Sequence, residues 1–343
     1  MIYIYYLIIV ELIVASVLQF STKYCHAARN IYWINIIALI IFSSLKDPNL
    51  TADGLTYIRA LNGQEIILEP TFNIIAQIIN NSLNGHYVWL FFLYSTIAII
   101  TKSIAIVNLS EYCLICLLVW IADFFPLHEL GQIRVAAASG FFLLSIDSLY
   151  KRELRKYLLW TFLATIFHFS AILMLGLWFL KSNNINLTIW YALTLLSFLW
   201  AILRFDILQL VSLIPIEGIS AKYEAYKTIQ DSHSEASILS PLIVGKLLII
   251  VFITWKTKII QKRSRYAILL SKIMLISIIA RSILASNVSV AFRVSEFFGV
   301  VEIVYIPYIM YILKQKYLAY SIIILIVLVF SSIRIFSNRL ILF

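Results

Sequence analysis

The chain has 343 residues, of which 62% are apolar and only 13% are charged, and its formal net charge is +10. A soluble domain carries about a quarter charged and about half apolar residues, so this composition excludes a soluble globular protein. The basic residues cluster in short gaps between apolar stretches, which favours membrane-flanking segments over a nucleic-acid-binding surface. The apolar residues come in blocks and not in alternation, which disfavours a β-barrel and predicts an all-α membrane protein.

Apolar stretches recur along the whole chain and predict a polytopic integral membrane protein, with residues 1–343 forming a single transmembrane domain. A helix needs about 20 residues to cross a bilayer, and the stretches predict about 11 such helices. The first stretch lacks a basic start and a convincing cleavage site, so we interpret it as a span and not as a signal peptide. The predicted spans are 2–20, 31–46, 87–107, 111–125, 134–149, 157–180, 187–204, 238–256, 266–285, 293–312 and 317–336.

Clusters of Lys and Arg predict which ends of the spans face the cytoplasm of a bacterial inner membrane. These clusters are Lys23 with Arg29, 151–156, 256–265 and 314–316. The segments predicted to lie outside are 47–86, 126–133, 205–237 and 286–292. The first outside segment also includes an amphipathic stretch at 71–83, which predicts a helix lying at the membrane interface. The apolar face of this helix carries Phe72, Ile75, Ile79 and Leu83.

The count of spans in the middle of the chain is inconsistent with this orientation. Three spans are predicted between the basic clusters at 151–156 and 256–265, although an even number is needed to return to the same side. Either 157–180 consists of two half-helices, or 206–215 re-enters the membrane. Irregular backbone at membrane depth is tolerated where it is buried in protein or lines a cavity, so either alternative predicts a functional region here.

Ionisable residues at membrane depth are candidates for function because burying charge in lipid is costly. Arg134 and Arg293 are predicted to open the fifth and tenth spans at their outer ends. Two guanidinium groups at one depth suit a lipid-linked diphosphate, although each Arg alone is also explained by snorkelling towards headgroups. His168 in the sixth span is either a hydrogen-bonded structural residue or a base, and Asp53 and Glu69 are either solvated loop carboxylates or part of this site.

The cysteines do not predict a metal or redox centre. Cys113 and Cys116 form a CxxC pattern, but no second pair of Cys or His follows it in the sequence. No other cluster has the spacing of metal ligands. The sequence therefore predicts a protein that needs no metal and no cofactor.

Several short motifs follow one another between residues 50 and 300. In chain order they are Asp53 four residues before Tyr57, Glu-Pro-x-Phe at 69–72, Ile133-Arg134 opening a span, the basic turn 151–156, Phe-His-x-Ser-Ala at 167–171, Lys222 four residues before Tyr226, and Arg293 before the aromatic pair 297–298. Their order resembles the EpsG-like branch of the Wzy polymerases of O-antigen and capsular polysaccharide. That family often has Gln directly after the Arg, where Val135 stands here, so that contact is either absent or supplied by Gln132.

The resemblance implies a membrane glycosyltransferase of GT-C-like architecture, acting on the periplasmic face. It implies that the glycan on undecaprenyl diphosphate is transferred to a hydroxyl of another lipid-linked repeat unit, with a chain-length regulator and membrane lipids as partners. Arg134 and Arg293 would neutralise the leaving diphosphate, and His168, Asp53 or Glu69 would act as base. The implied substrate-binding residues are Tyr57, Gln132, Lys222, Tyr226 and Glu296.

Two other functions stay open as alternatives. A lipid-core O-antigen ligase has a similar number of spans, but it typically has a large outside loop late in the chain, whereas the long gaps here are early and central. A transporter of lipid-linked glycan would use similar buried charges, but the inverted repeat of many transporters is not seen.

Overall fold

The structure, a computed structural model, describes residues 2–205 and 241–338. These residues form helices joined by short turns, which confirms the all-α prediction for the described part of the chain. Within it, five helices are long and apolar enough to cross a membrane: Tyr3–Phe20, Cys25–Ser44, Tyr87–Leu109, Ile133–Lys151 and Lys316–Ile335. Shorter apolar helices accompany them, so a multi-pass membrane protein fits the structure.

The helices are numbered in chain order. The first ten are α1 (Ile2–Ser16), α2 (Cys25–Ser44), α3 (Ala52–Leu61), α4 (Pro70–Ser82), α5 (Tyr87–Leu109), α6 (Cys113–Leu127), α7 (Ile133–Lys151), α8 (Leu154–Phe167), α9 (Met174–Leu177) and α10 (Leu187–Ile202). The others are α11 (Pro241–Trp255), α12 (Thr257–Ile260), α13 (Ala267–Ile283), α14 (Val288–Gly299), α15 (Glu302–Tyr305), α16 (Ile309–Ile312) and α17 (Lys316–Asn338).

The helices divide between two compact units, Met1–Phe179 with Glu302–Phe343, and Leu180–Val301. In the first unit α5 packs along α7, and α2 and α8 pack on the outer sides of this pair. Helix α6 packs between α1 and α17. In the second unit α13 contacts α10, α11 and α14, and the Tyr191 hydroxyl of α10 lies 2.6 Å from Thr254 Oγ1 of α11.

Helices α5 and α7 approach closely because a glycine lies at their contact. A Cβ atom added at Gly140 would lie 1.9 Å from Thr101 Oγ1 and 3.2 Å from the Ala98 carbonyl oxygen. Ala136, one turn earlier on α7, is also buried and small. Small residues four apart permit close packing of membrane helices, so this pattern brings the first turn of α7 against α5.

Two predicted spans are interrupted. The stretch 157–180 is not one helix, because α8 ends at Phe167, His168 is extended (φ −155°, ψ 117°), and only short helical turns follow. The predicted span 293–312 is also wrong, because α14 ends at Gly299 and a new helix begins at Glu302. Arg293 therefore lies in the middle of α14 and does not open a span. Apolar residues continue through both breaks, so hydropathy alone does not reveal them.

The break at His168 agrees with one of the two alternatives for the odd number of spans. The freed carbonyl of Ile166 accepts a hydrogen bond from Thr71 Oγ1 at 2.8 Å, and the Met174 carbonyl accepts one from the Tyr157 hydroxyl at 2.5 Å. Such partners are what irregular backbone at membrane depth requires. The other alternative, re-entry at 206–215, lies outside the described residues.

The segment 47–86, predicted to lie outside, contains the helix α3, which its turn-forming residues do not predict. Thr51 caps α3, with its Oγ1 accepting the Gly54 N–H at 3.2 Å. Glycine is needed at position 54 because an added Cβ would lie 2.3 Å from the Pro48 carbonyl oxygen. The Asp-Gly pair, a dipeptide typical of turns, therefore lies in the first turn of a helix here. The sequence signal for this helix is a Thr in the N-cap position.

Helix α4 confirms the amphipathic stretch predicted at 71–83. Phe72 and Ile79 are buried, whereas Leu83 follows the end of the helix. At 100° per residue, Ile74 and Ile78 form a separate apolar arc that is 57% and 51% exposed. A third arc, between the other two, is polar and exposed, and it carries Asn73, Gln77, Asn80 and Asn81. Three such arcs suit a helix that touches protein, lipid and water. The position of α4 at the membrane interface stays a prediction.

The connection between α6 and α7, which is predicted to lie on the outer side of the membrane, is buried within the protein. Its side of the membrane stays a prediction. Residues 126–131 are all buried, including His128 and Glu129, which are 0% and 1% exposed. This connection packs inside the first unit instead of projecting from it.

Candidate functional site

Three side chains from distant parts of the sequence meet in the first unit. Glu69 Oε2 forms an ion pair with Arg134 Nη1, and Glu69 Oε1 lies 3.2 Å from His168 Nδ1. The carboxylate therefore bridges the two nitrogen groups, one on each oxygen. All three residues were predicted as site residues, and the structure brings them together.

Local structure explains how each of the three side chains is held. Glu69 immediately precedes Pro70, which occupies the first turn of α4 and favours the start of a helix there. Arg134 lies in the first turn of α7. His168 ends α8 with its N–H donating to the Ala164 carbonyl at 2.9 Å, and the Thr71 bond to Ile166 ties the start of α4 to this end.

The bridging carboxylate is strongly held in its ionised form. Burial raises the pKa of Glu69, but the hydrogen bond from His168 and the charge of Arg134 outweigh this effect and lower the pKa to about 2. The side chains of Glu69, His168 and Arg134 are 7%, 11% and 19% exposed. An ionised carboxylate only accepts hydrogen bonds, so His168 Nδ1 carries the proton between them. In neutral His168 the other ring nitrogen, Nε2, is then a proton acceptor.

Aromatic rings form the wall behind Arg134. The guanidinium carbon lies 5.6 Å from the centre of the Tyr57 ring, within the range of a cation–π contact. Tyr57 is only 1% exposed and packs on Phe72, which packs on Tyr94 and, through it, on Phe167. Tyr57 thus belongs to the site, where its ring supports Arg134.

Polar atoms beside the cluster have hydrogen-bonding capacity left. Arg134 Nε, Gln132 Oε1 and Ser170 Oγ are buried and have no hydrogen-bond partner in the part of the chain that the structure describes. Buried polar groups are nearly always paired in native proteins. One of these atoms belongs to Arg134, and the other two lie two residues along the chain from Arg134 and His168, so each has hydrogen-bonding capacity left for a polar ligand.

The other predicted site residues are not part of this cluster. Asp53 is half-buried in the first turn of α3, and among the described residues it has no hydrogen bond or ion pair to the three-residue cluster. Arg293 and Glu296 lie on α14 in the second unit, half-buried and buried respectively. Lys222 and Tyr226 lie outside the described residues. The pairing of Arg134 with Arg293 stays a prediction.

A second set of buried charges lies deeper in the first unit. Lys102 pairs with Glu129, and Arg334 Nε lies 2.5 Å from Asp123 Oδ1. The predicted site residues do not include these charged residues or Lys46, which lies close to Glu129. The sequence signal for Glu129 was its position beside His128, between two apolar stretches.

The described residues contain no group of three or more His, Cys, Asp and Glu side chains that could hold a metal ion. The predicted independence from metals and cofactors stays a prediction.

Comparison with known proteins identifies the family to which the chain belongs. The sequence model of the EpsG family matches residues 29–341, so the chain belongs to this family of membrane proteins of polysaccharide synthesis. No curated protein and no solved structure matches the chain.

Proposed function

We propose that this EpsG-family chain is an oligosaccharide repeat-unit polymerase of the bacterial inner membrane. It transfers the growing glycan of an undecaprenyl-diphosphate-linked donor to a hydroxyl of a second lipid-linked repeat unit. The product is O-antigen or capsular polysaccharide. The observation that carries this proposal is the contact of Glu69 with both Arg134 and His168, in a chain whose family belongs to polysaccharide synthesis.

Arg134 is proposed to bind and stabilise the diphosphate leaving group. A diphosphate needs no acid catalyst to leave, but the charge that develops on it must be neutralised. Arginine suits this task because its planar fork binds phosphate through two hydrogen bonds and stays charged when partly buried. In the structure one nitrogen is engaged by Glu69, whereas the buried Nε has no partner among the described residues. Arg293 is proposed to supply the second positive charge.

His168 is the proposed base. The acceptor hydroxyl attacks the anomeric carbon of the donor sugar, the bond from that carbon to the diphosphate oxygen breaks, and the hydroxyl proton passes to His168 Nε2. Glu69 is a poor base because its pKa is held at about 2 and Arg134 already neutralises it. It is well suited to orient the ring through Nδ1 and to stabilise the imidazolium that forms. Asp53, which lies apart from the cluster, is not needed for this step.

A complementation experiment tests the polymerase. In a strain that lacks this protein, the surface glycan is expected to consist of single repeat units, and the wild-type chain should restore a ladder of long chains. Arg134→Ala and His168→Ala should both fail to restore it. The rate should fall by about 10²–10³-fold when the charge-stabilising Arg134 is lost and by about 10²–10⁴-fold when the base His168 is lost. Lys156→Ala is the matched control, because its side chain is 68% exposed and belongs to a surface ion pair.

The same strain separates the alternative functions. If the deletion abolishes all surface glycan and leaves no single repeat unit on the surface, the chain is a transporter or a ligase and not a polymerase. Full chain length with Arg134→Ala, at normal protein level, would refute the role given to this residue.

A further inference from the structure

The chain segment just before α7, which positions Arg134, is buried and is contacted by Lys46 and Lys102. Arg134 is the second residue of α7, which follows directly on the connection 128–132 between α6 and α7. Gln132, the residue before α7, makes no side-chain cap for that helix. The connection is therefore not held by the usual capping bonds at the start of α7.

Lys46 binds the end of α6. Its Nζ donates hydrogen bonds to the carbonyl oxygens of Glu129 and Leu130, at 3.0 and 2.7 Å. The Lys46 side chain is 3% exposed, and its Nζ lies 4.3 Å from the centre of the Phe91 ring. The last carbonyls of a helix have no partner within it and attract positive charge. Lys46 thus provides a hydrogen-bond donor for two carbonyl groups in the turn that follows α6.

Lys102 joins the same connection to the first turn of α7. Its Nζ forms an ion pair with Glu129 Oε1 and donates to the Ala136 carbonyl at 2.8 Å. The second oxygen of Glu129 accepts a bond from Trp120 Nε1 at 3.2 Å. Both side chains of the ion pair are 0% exposed. One lysine on α5 therefore links the connection to the backbone two residues after Arg134.

We infer that Lys46, Lys102 and Glu129 are positioning residues, which fix the connection 128–132 and thereby direct Arg134 towards Glu69 and His168. A fully buried ion pair is a poor means of stabilisation, because apolar residues of similar volume are often equally stable. Lys46 and Lys102 together contact the backbone on both sides of Gln132, which is what holding a defined geometry requires. The consequence for catalysis rests on the proposed function, whereas the geometry of the connection is testable without it.

The geometry is tested by thiol labelling of the full-length protein in lipid nanodiscs. Gln132→Cys is introduced after the three native cysteines are replaced, and its reaction with a maleimide is followed in time. Lys46→Met keeps the apolar stem but removes both hydrogen bonds, so it should label at least about tenfold faster, as local opening becomes easier. Lys156→Met is the control and should label at the unchanged rate. If Gln132→Cys is labelled at the same rate in the protein with Lys46→Met and in the protein that keeps Lys46, the inference is overturned.

A double variant that lacks both charges of the ion pair distinguishes a positioning role from a role in folding. Lys102→Met alone leaves Glu129 buried and unpaired, which threatens the fold. Lys102→Met with Glu129→Gln removes both charges, so the protein should fold but label fast and build few long chains. If this double variant folds, labels slowly and restores long chains, the pair has no positioning role. If wild type itself makes no long chains, the proposed function fails, and the labelling rates still decide this inference.

Discussion

The close contact of α5 with α7 predicts that a single methyl group at Gly140 perturbs the fold. In Gly140→Ala the new Cβ would lie 1.9 Å from Thr101 Oγ1 and 3.0 Å from Thr101 Cβ. Carbon atoms pack at about 3.5–4.0 Å, so the helices or the Thr101 side chain must move. Thr101 cannot turn away freely, because its hydroxyl donates to the Ile97 carbonyl at 2.7 Å.

The expected magnitude follows from two opposing effects. Overpacking of a well-packed contact costs about 1–3 kcal/mol, whereas replacing Gly by Ala inside a helix contributes about 0.5–1 kcal/mol of stability. Gly140→Ala should therefore be less stable by roughly 0–2.5 kcal/mol. Adding Thr101→Ala removes the nearest atom, but it leaves a contact of 3.0 Å to the Cβ atom of residue 101 and one of 3.2 Å to the Ala98 carbonyl oxygen. The double variant should recover part of the loss, with a coupling of about 0.5–3 kcal/mol.

Thermal unfolding in detergent, followed by circular dichroism, measures this cycle. Gly245→Ala on α11 is the matched control, because no atom lies within 4 Å of its added Cβ, and it should be neutral or slightly stabilising. If Gly140→Ala unfolds like wild type and shows no coupling to Thr101→Ala, the close packing of α5 against α7 is not as described.

Three further predictions concern single sites. Because the pKa of Glu69 is lowered to about 2, its stabilising effect is present above its unfolded pKa of about 4.3 and is lost as the pH falls through about 2. Glu69→Gln should therefore unfold at a lower temperature than wild type at about pH 8, by a margin that shrinks as the pH falls from about 4.3 towards about 2. An unchanged margin across that lower range would contradict the assignment. Asp123→Leu leaves Arg334 buried without its anion and should cost about 3–5 kcal/mol in thermal unfolding, most of it regained when Arg334→Met is added. Gly54→Ala places a methyl against the Pro48 carbonyl and should loosen α3, so hydrogen exchange of its amides should quicken; unchanged protection would argue against the tight turn.

The parts of the fold that depend on composition and periodicity were predictable. Most apolar blocks became helices whose ends lie within a few residues of the predicted spans, as for 87–107 and α5. The amphipathic pattern also identified α4, because burial of Phe72 and Ile79 follows from a 3.6-residue period alone. Motif order indicated Glu69, Arg134 and His168 individually, and the family match over residues 29–341 agrees with the resemblance drawn from those motifs.

The pairing of these residues was decided by the tertiary structure. Hydropathy is the same for a continuous and a broken helix, so the extended backbone at His168 and the buried connection at 126–131 left no signal in the apolar pattern. A charged residue in an apolar sequence indicates that a partner exists, but not which one, because partners such as Lys102 and Glu129 meet only when α5 packs against the end of α6. The sequence by itself thus determined which segments become helices and which side chains need a partner. The packing of those helices decided that Glu69 lies between Arg134 and His168, because distances between residues far apart in the chain are a property of the packed fold.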